Sequence, residues 1–173
     1  MPDKMVILTG FMGSGKSSVG TLLAERFGCR YIDLDAVIVE AAGCSINEMF
    51  ARDGEAAFRA LESARLEHLL MSGESGVLAT GGGAVISPKN RALMRDRGLV
   101  INLKVTLDQV LTRLHGCSDR PLLAGDDAAE RAAALMKERE QFYADADIRI
   151  DTDGKSVEDV ATEILCRLKG FSA

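Results

Sequence analysis

Short apolar runs alternate along the chain with longer stretches in which apolar residues recur every three or four positions. The runs place strands at Met5 to Thr9, Tyr31 to Asp33, Val77 to Thr80, Val100 to Leu103 and Ile148 to Asp151. Most are apolar at consecutive rather than alternate positions, as expected of strands covered on both faces. Strands spaced by helical stretches are the pattern of βαβ units around a parallel sheet.

The intervening segments read as helices with recognisable ends. "KSSVGTLLAERFG" sets Val19, Leu22, Leu23 and Phe27 on one face and stops at Gly28, a residue suited to the left-handed position after a helix. "SINEMFARDGEAAFRALESARLEHLLMSG" reads as a helix in two pieces with its break at "RDGE". "DDAAERAAALMKEREQFYADAD" is alanine-rich and opens on acids, which favour a helix N-terminus. A last helix should open near Ser156, with Asp159 completing a capping arrangement. Leu114 to Asp127 differs, being rich in polar and helix-breaking residues with little periodicity, so it reads as a loop.

Composition narrows the class. A chain of 173 residues that is 47% hydrophobic can bury one core without disulfides or metals, so a single domain over residues 1–173 is expected. The net charge of −5, with both signs interspersed, gives no electrostatic reason to expect nucleic acid or an anionic membrane. Cys29, Cys44, Cys117 and Cys166 lie far apart without metal-like spacing, and no segment has the signature of a leader or a membrane span. Reduced thiols in a cytoplasmic protein follow as the expectation.

The candidate chemistry begins at "GFMGSGKS", Gly10 to Ser17, which satisfies GxxxxGK[ST] between a strand and a helix. Glycines let backbone N–H groups converge on an anion at a helix start, Lys16 adds a positive charge, and Ser17 offers a hydroxyl of the kind that holds Mg²⁺. A nucleoside triphosphate, ATP above all, is implied. Asp33 and Asp35 end the next strand, and on an extended chain they would face one side, at the edge where open α/β sheets bind ligands. One could reach the metal's water shell and the other a substrate hydroxyl, or Asp35 could simply cap the following helix. Arg59 and Arg139 suit bidentate capture of a carboxylate or phosphate, although a helix arginine is by default a solvated one. Arg120 lies in the loop-like stretch, where it could swing onto a transferring phosphate. The run "VLATGGGAV" ends its strand in three glycines and carries no acid there.

Taken together, "GFMGSGKSSVG", "DLD", "INEMFARDGEAAFRALE", "LATGGGAV", "RPLL" and "EREQFYADAD" resemble the shikimate kinase family over nearly the whole chain. The resemblance implies an α/β, three-layer P-loop kinase fold with a five-stranded parallel sheet, similar to the nucleoside monophosphate kinases. It implies substrate-binding helices over about 34–72 and a mobile lid over about 114–127. The activity implied is phosphorylation of the 3-hydroxyl of shikimate by ATP with Mg²⁺, in a monomer. Gly13, Ser14, Gly15, Lys16, Ser17 and Ser18 would then bind the ATP phosphates, with Ser17 on the metal directly and Asp33 through water. Asp35 would hold the ring hydroxyls, Arg59 and Arg139 the carboxylate, and Gly81 and Gly82 would line the acceptor. Arg120 would close over the transferring phosphate and Arg113 would lie against adenine. Lys16, Asp35 and Arg120 are the catalytic set. Two alternatives stand beside this reading: a kinase of the same scaffold acting on gluconate or a nucleotide, and an ATP-binding module without turnover.

Overall fold

The computed structural model describes residues 4–114 and 127–171. Five parallel strands, β1 (Met5–Thr9), β2 (Tyr31–Asp33), β3 (Val77–Ala79), β4 (Gly98–Lys104) and β5 (Ile148–Asp151), form one sheet in the order β2-β3-β1-β4-β5. All five expected strands are present. β4 extends beyond its expected ends at both sides, and β3 stops at Ala79, although the Thr80 N–H still donates to the Leu8 carbonyl at 3.0 Å.

The consecutive apolar residues of β1 are explained by the layers around it. Met5 and Ile7 join the core shared with helices α2 (Leu34–Ala42), α3 (Ile46–Met71), α4 (Pro88–Arg97), α5 (Leu107–Leu114) and α6 (Ala128–Tyr143). Val6 and Leu8 point the other way, into a core with α1 (Lys16–Phe27) and α7 (Val157–Phe171). Val6, Ile7 and Leu8 are wholly buried. Each side chain removed from water in this way is worth about 1.5–3 kcal/mol.

Local chemistry sets the helix ends. Gly28 closes α1 with φ of 63°, as its position suggested. Ser45 and Glu48 form a reciprocal capping box at the start of α3, and Gly54, with φ of 81°, kinks that helix within "RDGE". Ser156 and Asp159 exchange backbone-to-side-chain bonds of 3.1 Å ahead of α7. The acids before α6 act differently from expectation: Asp127 is the N-cap but makes no side-chain cap bond.

Strand order creates the crevice. β1 and β3 are neighbours, yet β1 continues into α1 on one face while β3 continues through a single 3₁₀ turn (Ala84–Ile86) into α4 on the other. Loops that part in this way leave an opening at the carboxyl ends of the strands. Among the described residues no helix is long and apolar enough to cross a membrane. Most of the expected lid, including Arg120 and Cys117, lies outside the described residues.

Candidate active site

The loop after β1 is a cradle made of backbone. Gly13 and Gly15 take φ of 76° and 91°, conformations that glycine adopts without strain. Gly15 is the N-cap of α1, where no side chain caps the helix and no acid lies in the first turn. The N–H groups and positive dipole end of α1 are thereby left for an anion. Lys16 folds over the loop, its ammonium donating to the carbonyls of Gly10 at 2.8 Å and Phe11 at 3.0 Å. Ser14 is buried with its hydroxyl turned inward, which limits its part in anion binding to the backbone. Ser17 and Ser18 are exposed at the helix start.

Across the opening, the Ser17 hydroxyl donates to Asp33 Oδ2 at 3.5 Å, and the Tyr31 hydroxyl donates to the same oxygen at 3.2 Å. Burial, aided by Asp33 and Asp35 and opposed by Ser17, pushes the Tyr31 phenol up to about 12, so it remains a donor. Two hard oxygens, from Ser17 and Asp33, thus meet beside the cradle and suit a small divalent cation that keeps water and phosphate among its ligands. Among the described residues no group of three or more His, Cys, Asp or Glu side chains could hold a metal without such help.

The relation of the two aspartates differs from the expected one. β2 ends at Asp33 and Asp35 stands in the first turn of α2, so the two do not share a face of one extended strand. Asp33 is the N-cap, its Oδ1 accepting from the N–H groups of Asp35 at 3.0 Å and Ala36 at 3.3 Å. With Asp33 in that role, Asp35 is not the helix cap, and its carboxylate turns toward the glycine loop after β3.

That loop is glycine for reasons of space. Gly81, Gly82 and Gly83 all avoid the left-handed region. A Cβ on Gly81 would lie 2.8 Å from Asp35 Oδ1 and 2.9 Å from Glu62 Oε1, and one on Gly83 would overlap the Arg59 guanidinium. At Gly82 the nearest atoms, the Gly10 carbonyl oxygen and the Tyr143 hydroxyl, are both at 3.5 Å, an ordinary contact. Within the protein the tight positions are therefore Gly81 and Gly83.

Around this loop the acids and arginines converge. On α3, Arg59 donates to Glu62 at 2.9 Å and to Glu55 at 3.2 Å, with its guanidinium 5.2 Å from the Phe58 ring centre. Burial works against its charge, but Glu62 and Glu55 outweigh that and hold Arg59 above its ordinary value. Glu62 is 1% exposed, and its Oε1 has no hydrogen-bond partner among the described residues. Burial raises the Glu62 carboxyl above its ordinary value, with Arg59 opposing and Asp35 reinforcing the shift. From α6, Arg139 enters only 3% exposed, and its Nε likewise lacks a partner among the described residues. The Tyr143 hydroxyl donates to the Gly82 carbonyl at 2.6 Å. Arg113 reaches the cradle from α5, donating to the Gly13 carbonyl at 2.8 Å and the Thr152 carbonyl at 3.4 Å.

Three of these residues escape a reading of the sequence: Tyr31, Glu62 and Tyr143. Helical spacing held a signal for two of them, since Glu62 lies three residues after Arg59 and Tyr143 four after Arg139. The arrangement sets an anion cradle beside a carboxylate and two arginines, one of them buried with an Nε that has no partner among the described residues. It can hold a polyphosphate next to a small acceptor bearing hydroxyls and an acid group.

Comparison with known proteins gives a consistent result. The shikimate kinase family profile matches residues 12–169. A shikimate kinase from Geobacter metallireducens is 61% identical over 165 residues, spanning 95% of this chain and 92% of that protein. The structure of shikimate kinase from Acinetobacter baumannii in complex with shikimate matches with a TM-score of 0.92 at 33% identity, over 96% of this chain and 93% of that one. A gluconokinase from Sinorhizobium meliloti, at a TM-score of 0.58 and 14% identity over 98% of this chain and 93% of that one, shares the fold alone.

Proposed function

The chain belongs to the shikimate kinase family, kinases that use ATP to phosphorylate a shikimate hydroxyl, and from that premise we propose how its residues divide the work. The reaction is transfer of the γ-phosphoryl group of ATP to the 3-hydroxyl of shikimate, giving ADP and shikimate 3-phosphate, a step toward chorismate and the aromatic amino acids. One observation carries the assignment of the acceptor site: the buried Arg139, with an unpartnered Nε among the described residues, acts electrostatically on Glu62 and Tyr143, the first paired with Arg59 and the second bonded to the Gly82 carbonyl of the glycine loop. A buried guanidinium donor without a partner is costly, and a ligand carboxylate relieves that cost.

The loop Gly13 to Ser18 holds the ATP phosphates through backbone N–H groups. Lys16 exchanges the Gly10 and Phe11 carbonyls for phosphate oxygens, and Arg113 lies toward the adenine. Ser17 would hold Mg²⁺ directly and Asp33 would do so through water. Bound there with the nucleotide, Mg²⁺ supplies neutralisation of the phosphate charge. Arg59 and Arg139 grip the shikimate carboxylate, with Gly81 and Gly82 forming the floor beneath the ring.

Asp35 orients the 3-hydroxyl and accepts its proton as the oxygen forms its bond to the γ-phosphorus and the bond to the ADP oxygen breaks. The proton then passes to solvent. Arg120 closes over the transferring group and spreads its charge, and a closed site keeps water from competing with the acceptor. We place the enzyme in the cytoplasm as a monomer, a compartment in which thiols such as Cys29, Cys44 and Cys166 stay reduced.

An acceptor panel tests the assignment. ADP release is measured with shikimate, quinate, gluconate and nucleoside monophosphates, and shikimate is expected to be turned over best. Equal or better turnover of another acceptor would overturn the choice. ATP binding by calorimetry without phosphoryl transfer to shikimate would replace the enzyme with a nucleotide-sensing module.

A further inference from the structure

Three consecutive carbonyls of the glycine loop are each held by a hydrogen bond. The Gly81 carbonyl accepts from the Ala84 N–H at 3.2 Å and the Gly83 carbonyl from the Ile86 N–H at 3.0 Å, both within the 3₁₀ turn. The middle bond is of another kind: the Gly82 carbonyl accepts from the Tyr143 hydroxyl, a side chain 61 residues away in sequence on the last turn of α6. A short bond to a carbonyl that its neighbours in sequence do not hold is a specific tie between two elements.

The consequence follows from the planarity of the peptide. In a trans linkage the C=O and N–H point opposite ways, and the chain has no cis bond among the described residues. Holding the Gly82 carbonyl therefore fixes the direction of the Gly83 N–H and the position of the Gly83 Cα, against which the Arg59 guanidinium packs. On the other side of the tie, Arg139 lies one turn before Tyr143 on the same face of α6, close enough for its guanidinium to favour the phenolate while burial favours the phenol. Burial dominates and the phenol stands at about 12, so the hydroxyl remains a donor across the working pH range. Tyr143 thus touches both halves of the arginine pair, one directly and one through the loop.

We propose that Tyr143 is a positioning residue for the acceptor: by clamping the Gly82 carbonyl from the helix that carries Arg139, it holds loop backbone and arginines in one register for the acceptor's carboxylate. This rests on the reading that Arg59 and Arg139 grip that carboxylate. The competing view is that Tyr143 is a core residue whose hydroxyl merely finds a partner, since its ring packs in the hydrophobic core. Tyr143→Phe separates the two, because it keeps the ring in place and removes one oxygen.

The experiment compares the native enzyme, Tyr143→Phe and Arg139→Lys in steady-state kinetics, with shikimate and with an analogue whose carboxylate is replaced by a hydroxymethyl group. For Tyr143→Phe we expect the KM for shikimate to rise about tenfold, the scale of one buried hydrogen bond. The KM for ATP and the kcat at saturation stay within about twofold, and the penalty on the uncharged analogue is several times smaller. Thermal melting confirms that the variant is folded. An unchanged shikimate KM in Tyr143→Phe, alongside a raised one in Arg139→Lys, overturns the positioning role while sparing the carboxylate reading. Equal losses for shikimate and the uncharged analogue overturn it as well. An Arg139→Lys enzyme with native shikimate KM overturns the carboxylate reading, and the role of Tyr143 falls with it.

Discussion

Adding a methyl group to each of Gly81, Gly82 and Gly83 in turn separates packing from backbone conformation, since all three avoid the left-handed region. At Gly81 the new carbon would lie 2.8 Å from Asp35 Oδ1 and 2.9 Å from Glu62 Oε1, whereas ordinary contact begins at 3.4 Å. Relief requires movements of about half an ångström in two carboxyl groups, and Glu62, buried against Arg59, has nowhere to retreat. Asp35 therefore takes most of the displacement. A misplacement of about 1 Å at a reacting group can cost about a hundredfold, so Gly81→Ala is expected to lower kcat/KM for shikimate about tenfold, about 1.4 kcal/mol. Gly82→Ala meets its nearest protein atoms at 3.5 Å, so it should cost less than Gly81→Ala. Gly83→Ala collides with the flexible end of Arg59, so it should act on the KM for shikimate more than on kcat. The assay is coupled ADP release for all three variants, with a calorimetric ATP titration to show that the cradle is intact. Equal losses at Gly81 and Gly82, or a larger one at Gly82, would refute the steric argument.

Other outcomes follow from the same geometry. Arg120→Ala should lower kcat about 10²- to 10³-fold with little change in shikimate binding, as for any donor used mainly in the transition state; equal losses in both would argue against that role. Arg59 already donates to Glu55 and Glu62, whereas the Arg139 Nε has no partner among the described residues, so Arg139→Ala should raise the KM for shikimate more than Arg59→Ala does; the reverse order would contradict this. Glu62 gives a pH signature: its carboxyl is raised above the ordinary 4.5, so between those two values the folded chain binds more protons than the unfolded one and stability falls as pH rises. The melting temperature of Glu62→Gln relative to the native protein should accordingly increase as pH rises from about 4.5, and a constant difference would remove the assignment.

How much of this was legible in the sequence depended on whether the physics was local. The phosphate cradle is made of neighbouring residues and backbone, so "GFMGSGKS" carried its own geometry, and the strands announced themselves because both faces are covered. Helix α4 did not, since "PKNRALMRDR" buries only Asn90 and Met94 and offers little apolar periodicity to read. The strand itself was placed correctly, but the chain was read as extended on to Asp35: α2 instead begins at Leu34, which makes Asp33 a cap and puts Asp35 on a helix, so the two do not share a face.

Glu62 and Tyr143 were hidden for a deeper reason. An acid on a long polar helix and a tyrosine near the end of another have ordinary surface and core explanations, and only the approach of α3 and α6 to the glycine loop gives them a site. Their arrangement also explains why that loop must lack side chains. Asp35, Glu62 and Arg59 crowd Gly81 and Gly83 before any acceptor arrives, so the space that glycine leaves is occupied by the protein's own charged groups. The acceptor then enters a site whose acids and bases are already paired on the Arg59 side. On the proposed reading its carboxylate would be drawn toward Arg139, whose buried Nε has no partner among the described residues, and the hydroxyls at the other end of a small ring would be left for Asp35. Charge imbalance within the pocket, rather than the pocket's shape alone, would then set which end of the acceptor faces the phosphate cradle.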